Sequence, residues 1–244
     1  MQEIAITNPK LAALGPQWAP FRGFSLLFEN PSDRALYDAL QAGISRLSNS
    51  SLVANHFLRL LPPESFHVTV WDGINDGNLQ NVAMECRDEW SRFLQSIPRP
   101  EFIGDLFREV RSSELISRKN WNLSLRCAQI ENWSCMSLVA RLVPDDPESE
   151  KSLARLTTAR EALSKAHGSR FGVFPHPDFA PHVTLGYFAN RDLAASSEQA
   201  VAEWNESLLS LTHGLVLRFS RIVPSVFTDM ASFGRDPDPP RTPA

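Results

Sequence analysis

Cysteine is scarce in this 244-residue chain, and the chain carries no excess of positive charge. The three cysteines, Cys86, Cys127 and Cys135, are an odd number without the spacing of a disulfide framework or a zinc site, which is typical of a reducing compartment. The net charge is −4 at pH 7, because 24 Lys and Arg stand against 28 Asp and Glu. Such a chain has no overall positive field to hold long duplex nucleic acid, so this class of partner is excluded.

Long apolar runs are also missing from the sequence. No stretch free of Asp, Glu, Lys and Arg exceeds 12 residues, whereas a membrane-spanning helix needs about 20. The first ten residues, MQEIAITNPK, lack the basic segment and the following apolar run of a secretion signal. The apolar fraction of 43% is nevertheless sufficient for a sizeable core. We therefore expect a soluble cytoplasmic protein without a membrane partner.

The two halves of the chain repeat one order of apolar patterns, which is typical of a duplication. In each half, a strand-like run leads through a proline to a helical pattern, then to a second strand-like run and a second helical pattern. Matching points keep nearly one offset, since Ser25 and Ser137 are 112 residues apart and His67 and His182 are 115 apart. This order predicts an α+β fold of two related lobes.

The composition along the chain predicts three segments. Residues 1–20 form a loop-like N-terminal extension interrupted by prolines, and residues 21–228 form a single bilobal domain. Its two repeats cover about 21–95 and about 121–228. Residues 229–244 are rich in proline and have no apolar periodicity, which predicts a disordered tail.

A His-Val-Thr tripeptide occupies the same place in each repeat, as His67 to Thr69 and as His182 to Thr184. With six His and eight Thr in the chain, composition alone gives roughly 0.2 His-x-Thr triplets, yet two are present at equivalent points. Successive side chains of a strand point to opposite faces. Each lobe therefore presents a histidine and a threonine on one face of a strand and turns the valine toward the core.

These paired motifs, on strands of a duplicated α+β chain, closely resemble the two-histidine (2H) phosphoesterase superfamily. That superfamily includes 2′-5′ RNA ligase-like proteins and 2′,3′-cyclic nucleotide phosphodiesterases. The resemblance covers roughly residues 21–228 by architecture, and its specific part is the two tripeptides in their repeat context. It implies a bilobal pseudo-two-fold duplication, with two antiparallel sheets and outer helices around a central cleft. It also implies that the motifs face each other across the cleft, and that the reaction uses no metal and no cofactor.

Opening a cyclic phosphate requires a base for the attacking water, an acid for the departing ribose oxygen, and donors for the charged phosphate oxygens. Histidine suits both proton-transfer roles because its ordinary pKa is about 6.5. We expect His67 and His182 to be the acid–base pair, and the hydroxyls of Thr69 and Thr184 to donate to the phosphate. The sequence leaves open which histidine is the base.

Two aromatic residues near the motifs are candidates for contacts with the substrate. Trp71 continues the strand parity of the first motif, so it could stack on a base or close the cleft; the alternative is that it packs under the turn that follows. Tyr187 has the opposite parity to the second motif, which favours a core or rim position.

The chain departs from its relatives just after the second motif. Ligase-like relatives often carry an arginine there, and this chain has Gly186-Tyr187-Phe188. Arg126, on a predicted strand, and Arg22 are the candidates to replace that arginine. His176 could pair with His182 on a metal, but no carboxylate or cysteine lies at the short spacing of a zinc site, so we expect no metal.

The sequence thus favours a metal-independent phosphodiesterase that hydrolyses a 2′,3′-cyclic phosphate or a 2′-5′ linkage. The expected partner is a nucleotide or an RNA terminus, and the expected state is a monomer. Two alternatives remain: a module that binds a nucleotide or RNA end in the same cleft without turnover, and a 2′-5′ ligase-like activity. ATP-driven ligation has no support, because the sequence has no Gly-rich Walker loop.

Overall fold

Strands of the protein form two antiparallel sheets in the computed structural model, which describes residues 4–12, 17–31, 33–47, 50–98, 102, 104–175 and 178–235. The strands are β1 (Gly23–Phe28), β2 (Leu58–Leu60), β3 (Thr69–Asn75), β4 (Leu123–Trp133), β5 (Ser137–Pro144), β6 (His182–Phe188), β7 (Val216–Phe219), β8 (Ile222–Asp229) and β9 (Ser232–Arg235). One sheet has the order β3-β1-β8-β9 and the other β2-β6-β5-β4-β7. The predicted α+β fold with two antiparallel sheets is confirmed.

Helices cover the outer side of each sheet. They are α1 (Ala35–Leu47), α2 (Ser51–Ala54), α3 (Met84–Ser96), α4 (Arg108–Ser112), α5 (Glu114–Ser117), α6 (Pro147–Phe171), α7 (Arg191–Ala195) and α8 (Glu198–Thr212). Helix α8 packs on β4 and α1 packs on α8. On the sheet that contains β1, Phe24 stacks on Trp90 of α3, with ring centroids 5.5 Å apart. In the part of the chain that the structure describes, no helix has the length and apolar character needed to span a bilayer.

Each sheet takes strands from both halves of the chain. The late strands β8 and β9 complete the sheet that contains β1 and β3, and the early strand β2 adds to the sheet of β4 to β7. The central pairing of the first sheet, between β1 and β8, is regular over all six residues of β1. The two sheets therefore do not correspond to contiguous segments of the sequence.

The predicted disordered tail begins too early. Residues up to Asp229 belong to β8, and Ser232–Arg235 form β9, which pairs with β8 across a tight hairpin. Phe233 of this hairpin packs against Phe227 of β8, with ring centroids 5.1 Å apart. Apolar contacts of this kind offset the conformational entropy that the segment loses on ordering. The prediction missed them because it rested on the high proline content of the tail. Residues 236–244 lie outside the described part.

Helix α6 supplies the second half of the chain with its longest element and also reaches the first sheet. It begins after Asp146, whose side chain accepts a hydrogen bond from the Ser149 N–H, with a proline in the first turn. It ends at Gly172, which has a φ of +76°. The indole N–H of Trp71 in β3 donates to Ser164 Oγ of this helix at 2.9 Å. Residues of α6 thus lie directly behind the first motif strand.

A strand glycine in β6 gives a first testable prediction about stability. Gly186 lies opposite Leu60 of β2, and a Cβ at this position would lie 2.5 Å from the carbonyl oxygen of Arg59. Because that neighbour is backbone, Gly186→Ala should separate β2 from β6 and lower the unfolding free energy by about 2 kcal/mol, measured by urea denaturation. Gly234→Ala in β9 is the matched control, since its nearest neighbour would lie at 3.7 Å. Equal midpoints for the two variants would contradict the prediction.

Candidate active site

The two His-Val-Thr motifs meet where the sheets join. The central residues of the motifs form an isolated antiparallel bridge: Val68, directly before β3, pairs with Val183 of β6. Both valines are buried, so the residues on either side of each one point to the opposite face. In an antiparallel bridge, the His of one copy lies beside the Thr of the other copy. The pseudo-two-fold axis of the duplication therefore passes between the two valines.

All four motif side chains line one cleft. His67, Thr69, His182 and Thr184 are half-buried and belong to the wall of a single cavity of about 710 Å³. A volume of this size accommodates a nucleotide-sized ligand. The structure thus brings together the four residues that the sequence placed on two separate strands.

A backbone carbonyl holds each histidine ring in the same way. Nδ1 of His67 lies 2.7 Å from the carbonyl oxygen of Ser65, and Nδ1 of His182 lies 2.8 Å from that of Ala180. A carbonyl oxygen only accepts, so each Nδ1 carries a proton and donates it. In the neutral ring, the basic nitrogen is then Nε2. The two histidines therefore share one tautomer, and in each case the accepting carbonyl belongs to the residue two positions earlier in the chain.

This fold occurs in known structures. A conserved protein of unknown function from Agrobacterium tumefaciens matches with a TM-score of 0.58 and 16% sequence identity, over 91% of this chain and 87% of its own. Usb1 from Kluyveromyces marxianus, solved with and without uridine monophosphate, matches with a TM-score of 0.43 and 14% and 13% identity, over 87% of this chain and 96% of Usb1. No protein-family model and no curated protein sequence matches the chain. The Agrobacterium protein shares the fold of this chain.

Both motif strands carry a β-bulge directly after the motif threonine. In β3, Thr69 and Trp71 lie opposite consecutive residues of β1, which makes Val70 the extra residue. In β6, the same shift relative to β5 makes Leu185 the extra residue. One extra residue reverses the faces of all residues that follow it. Strict alternation past the motifs therefore fails in both lobes.

The first consequence is that Trp71 does not reach the cleft. Its side chain is fully buried, and its ring packs against His167 with centroids 4.9 Å apart. The indole N–H bonds to Ser164 of α6. The prediction that Trp71 contacts the substrate is therefore wrong, and the bulge at Val70 is the physical reason.

The second consequence is that Asp72 and Tyr187, at equivalent positions of the two repeats, both turn to the cleft. Tyr187 is buried and also lines the cavity, which agrees with the core or rim position that its parity favoured. Its hydroxyl oxygen accepts a hydrogen bond from Lys10 Nζ at 3.4 Å, and the ammonium lies 4.7 Å from the centre of its ring. Lys10 belongs to the N-terminal extension, which the sequence interpretation left without a role.

Hydrogen bonds hold the N-terminal extension against the end of β6. Asn8 is buried, and its side-chain N–H groups donate to the carbonyl oxygens of Phe188 at 2.9 Å and Met136 at 3.3 Å. The amide N–H groups of Thr7 and Asn8 both donate to Ala189 O. These contacts place the lysine that follows, Lys10, at the rim of the cleft.

The two arginines chosen from the sequence lie elsewhere. Arg22 donates from its backbone and its guanidinium to Asp76. Arg126 is half-exposed on β4, 4.0 Å from Asp145. Neither contributes to the wall of the cleft, within the described ranges. Both predictions are wrong because a strand assignment alone does not tell which face of which sheet a residue occupies.

A buried arginine on α6 lines the cleft instead. Arg160 is 4% exposed, and its Nε donates to the carbonyl oxygen of Val70 at 3.0 Å. Burial lowers the pKa of its guanidinium, while the nearby carboxylates of Asp72, Glu161 and Asp178 oppose that shift. The guanidinium is so strongly basic that it stays charged despite this lowering of its pKa. The cleft therefore holds cations from two elements that no motif marks, the N-terminal extension and α6.

Aromatic rings cover both histidines and extend over the cleft wall. Phe233 of β9 lies 4.2 Å from the ring centre of His67, and Trp133 at the end of β4 stacks on His182 at 5.1 Å and 22°. Phe174 at the mouth is 64% exposed. The aromatic surfaces form a shelf of the kind on which bases stack.

In the described residues, no three or more His, Cys, Asp or Glu side chains are grouped to hold a metal ion. His176, which the sequence placed as a conceivable partner of His182, lies outside the described residues.

Proposed function

We propose that this protein is a phosphodiesterase that uses His67 and His182 as a general acid–base pair on a 2′,3′-cyclic phosphate or a 2′-5′ linkage at a nucleotide or RNA end. The observation that carries the proposal is the meeting of the two motifs at the Val68–Val183 bridge, with both histidines in one cleft and one tautomer.

The proton transfers follow from the shared tautomer. Nε2 of one neutral histidine takes a proton from the attacking water as the new oxygen–phosphorus bond forms. The other ring, protonated at Nε2, gives that proton to the ribose oxygen as its bond to phosphorus breaks. After one turnover the ring that acted as the base carries the extra proton and the ring that acted as the acid is neutral. The hydrogen bonds from Nδ1 to the carbonyl oxygens of Ser65 and Ala180 keep both rings oriented. No step of this route calls for a metal.

The phosphate oxygens need donors as charge develops on them. Thr69 and Thr184 lie beside the histidines of the opposite copies, so each hydroxyl is placed to donate to a non-bridging oxygen. Lys10 adds a positive charge to the same cleft, and the buried guanidinium of Arg160 lies in the cleft wall, bonded to the backbone. The two hydroxyls and the lysine account for binding one phosphate locally in a chain whose net charge is negative.

A panel of substrates tests the proposal. Purified protein in excess EDTA is incubated with the four 2′,3′-cyclic nucleotides, with 2′-5′ and 3′-5′ dinucleotides, and with short RNA that ends in a cyclic phosphate. Turnover of a cyclic phosphate or a 2′-5′ linkage is expected. Tight binding of these compounds without turnover would favour the binding module, and joining of two RNA ends would favour ligation. Turnover that requires added metal would overturn the metal-independent route.

Lys10 provides a prediction about substrate binding. Lys10→Met should raise KM roughly 10-fold with little change in kcat, because a charged hydrogen bond to phosphate contributes about 1.5 kcal/mol or more. Lys10→Arg should keep most of the affinity. The control is Lys151→Met, since Lys151 is exposed at the start of α6 and pairs with Glu148. An unchanged KM in Lys10→Met would remove Lys10 from the binding surface.

A further inference from the structure

At the bulge in β3, a backbone carbonyl oxygen accepts its hydrogen bond from a side chain. Val70 is the extra residue of the bulge, and among the described residues β3 pairs with β1 along only one side. The carbonyl oxygen of Val70 accepts the Nε–H of Arg160 at 3.0 Å in a buried contact. A buried carbonyl oxygen that loses its donor destabilises the structure around it, because no water replaces the lost hydrogen bond. Arg160 therefore bonds directly to the extra residue at the first of the two register shifts of β3 against β1, the one next to the motif.

At the equivalent bulge in β6, the carbonyl oxygen accepts its hydrogen bond from a backbone N–H. Leu185 is the extra residue of the bulge in β6, and its carbonyl oxygen accepts the amide N–H of Leu61 at 2.9 Å. Leu61 directly follows β2, which lies along β6. The two bulges are therefore equivalent, but one is stabilised by a neighbouring strand and the other by a guanidinium.

We infer that Arg160 is a positioning residue for the first motif, because it holds the bulge that presents Thr69 to the cleft and keeps Trp71 in the core. This inference rests on the proposed function, since it assigns Thr69 a phosphate-binding role. The physical argument is one of register: without a donor for Val70, the bulge can move along β3. A shift of one residue would turn the residues it passes to the other face.

The site of Arg160 suits a guanidinium and no smaller group. Its Nε bonds to Val70, and the guanidinium carbon lies 5.3 Å from the ring centre of Phe179. Of the carboxylates that raise the pKa of this guanidinium, Asp72 has the largest effect, and it turns to the cleft because of the same bulge. A lysine ammonium is a compact point charge without the planar array of donors, so it does not reproduce this set of contacts.

The test compares Arg160→Met and Arg160→Lys with Ser164→Ala. Met keeps the apolar stem without any N–H, and Ser164→Ala removes the neighbouring link between α6 and β3 without touching the bulge. On a 2′,3′-cyclic nucleotide, Arg160→Met should lower kcat at least 10-fold with KM within about 3-fold. Ser164→Ala should keep kcat within about 2-fold. Thermal unfolding of each variant shows which remain folded, and ethylguanidinium should restore part of kcat to Arg160→Ala.

An activity-free readout keeps the inference separate from the proposed function. Methyl NMR of threonine should show a shift of the Thr69 signal in Arg160→Met, while the Thr184 signal, from the symmetry-related bulge, stays in place. A folded Arg160→Met with normal kcat and an unshifted Thr69 methyl would overturn the inference. So would a rise in KM alone, which would mean direct contact with substrate. If the wild type fails on the substrate panel, the proposed function falls, and the Thr69 shift alone decides the role of Arg160.

Discussion

Replacing either His67 or His182 with alanine should lower kcat at least ~10²-fold, the low end of general acid–base contributions. In the proposed mechanism each histidine carries one of the two proton transfers, and a backbone carbonyl holds each ring in place. The double variant should be little slower than the worse single variant, because groups that act as a unit are not additive. Steady-state hydrolysis of a cyclic nucleotide is the measurement.

His56→Ala is the matched control for these variants. Its Nδ1 also contacts a backbone carbonyl, that of Leu193 at 3.2 Å, but it lies outside the cleft. It should retain full activity. A residual rate above one tenth of wild type in a folded His67→Ala or His182→Ala variant would remove that residue from the reaction.

A p-nitrophenyl phosphodiester assigns the two roles. Nitrophenolate departs without a proton, so the variant that lacks the acid should recover most of its rate on this substrate. The variant that lacks the base should not recover. Recovery by both variants, or by neither, would contradict a division into one acid and one base.

The unfolding free energy should decrease as the pH is lowered, because of a buried histidine that the proposed reaction does not use. His167 of α6 is buried among Trp71, Trp90 and Phe171, with ring centroids 4.7 to 5.9 Å away. Burial lowers its pKa to about 4, whereas the unfolded chain titrates near 6.5. The unfolded state therefore binds a proton first as pH falls. The stabilisation is complete above about pH 6.5 and is lost progressively down to about pH 4, by roughly 3 kcal/mol.

His167→Leu isolates this contribution. Urea denaturation at several pH values measures the unfolding free energy of both proteins. From pH 7 to pH 4, the wild type should lose more unfolding free energy than the variant. The carboxylates with lowered pKa values, Glu109, Glu114 and Asp146, lose their stabilisation at lower pH and are common to both proteins. A pH-independent difference would show that His167 is not the titrating group.

The site motifs were predictable because they sit at the start of strands, before any irregularity. Periodicity places His67 and Thr69 on one face correctly, and the repeat relates them to His182 and Thr184. The prediction for Trp71 fails two residues after Thr69, because the bulge between them leaves no mark in a sequence that reads as continuous strand. Register faults of this kind depend on the partner strand and on side chains such as Arg160.

The cations of the cleft were beyond sequence reasoning for a different reason. Lys10 lies 177 residues from Tyr187 in the chain, and Arg160 lies 90 residues from Val70. No pattern links such positions without an alignment or the fold itself. A surface lysine in an N-terminal loop and an arginine in a polar helix both look like solvent-exposed residues. The repeat indicated the architecture, but the contacts that complete the cleft come from outside it.

The exchange of strands between the two halves has a consequence for synthesis. β1 can pair with β3 early, but its other edge stays unpaired until β8 is made, and β8 begins at Ile222, roughly 150 residues after β3 ends at Asn75. At about 5–20 residues per second, the ribosome leaves that edge open for on the order of ten seconds. An open edge of the apolar strand GFSLLF is a site for pairing with other nascent chains. The first sheet can therefore be completed only after β8 has been made, and the yield of folded protein should depend on how well the cell shields β1 until then.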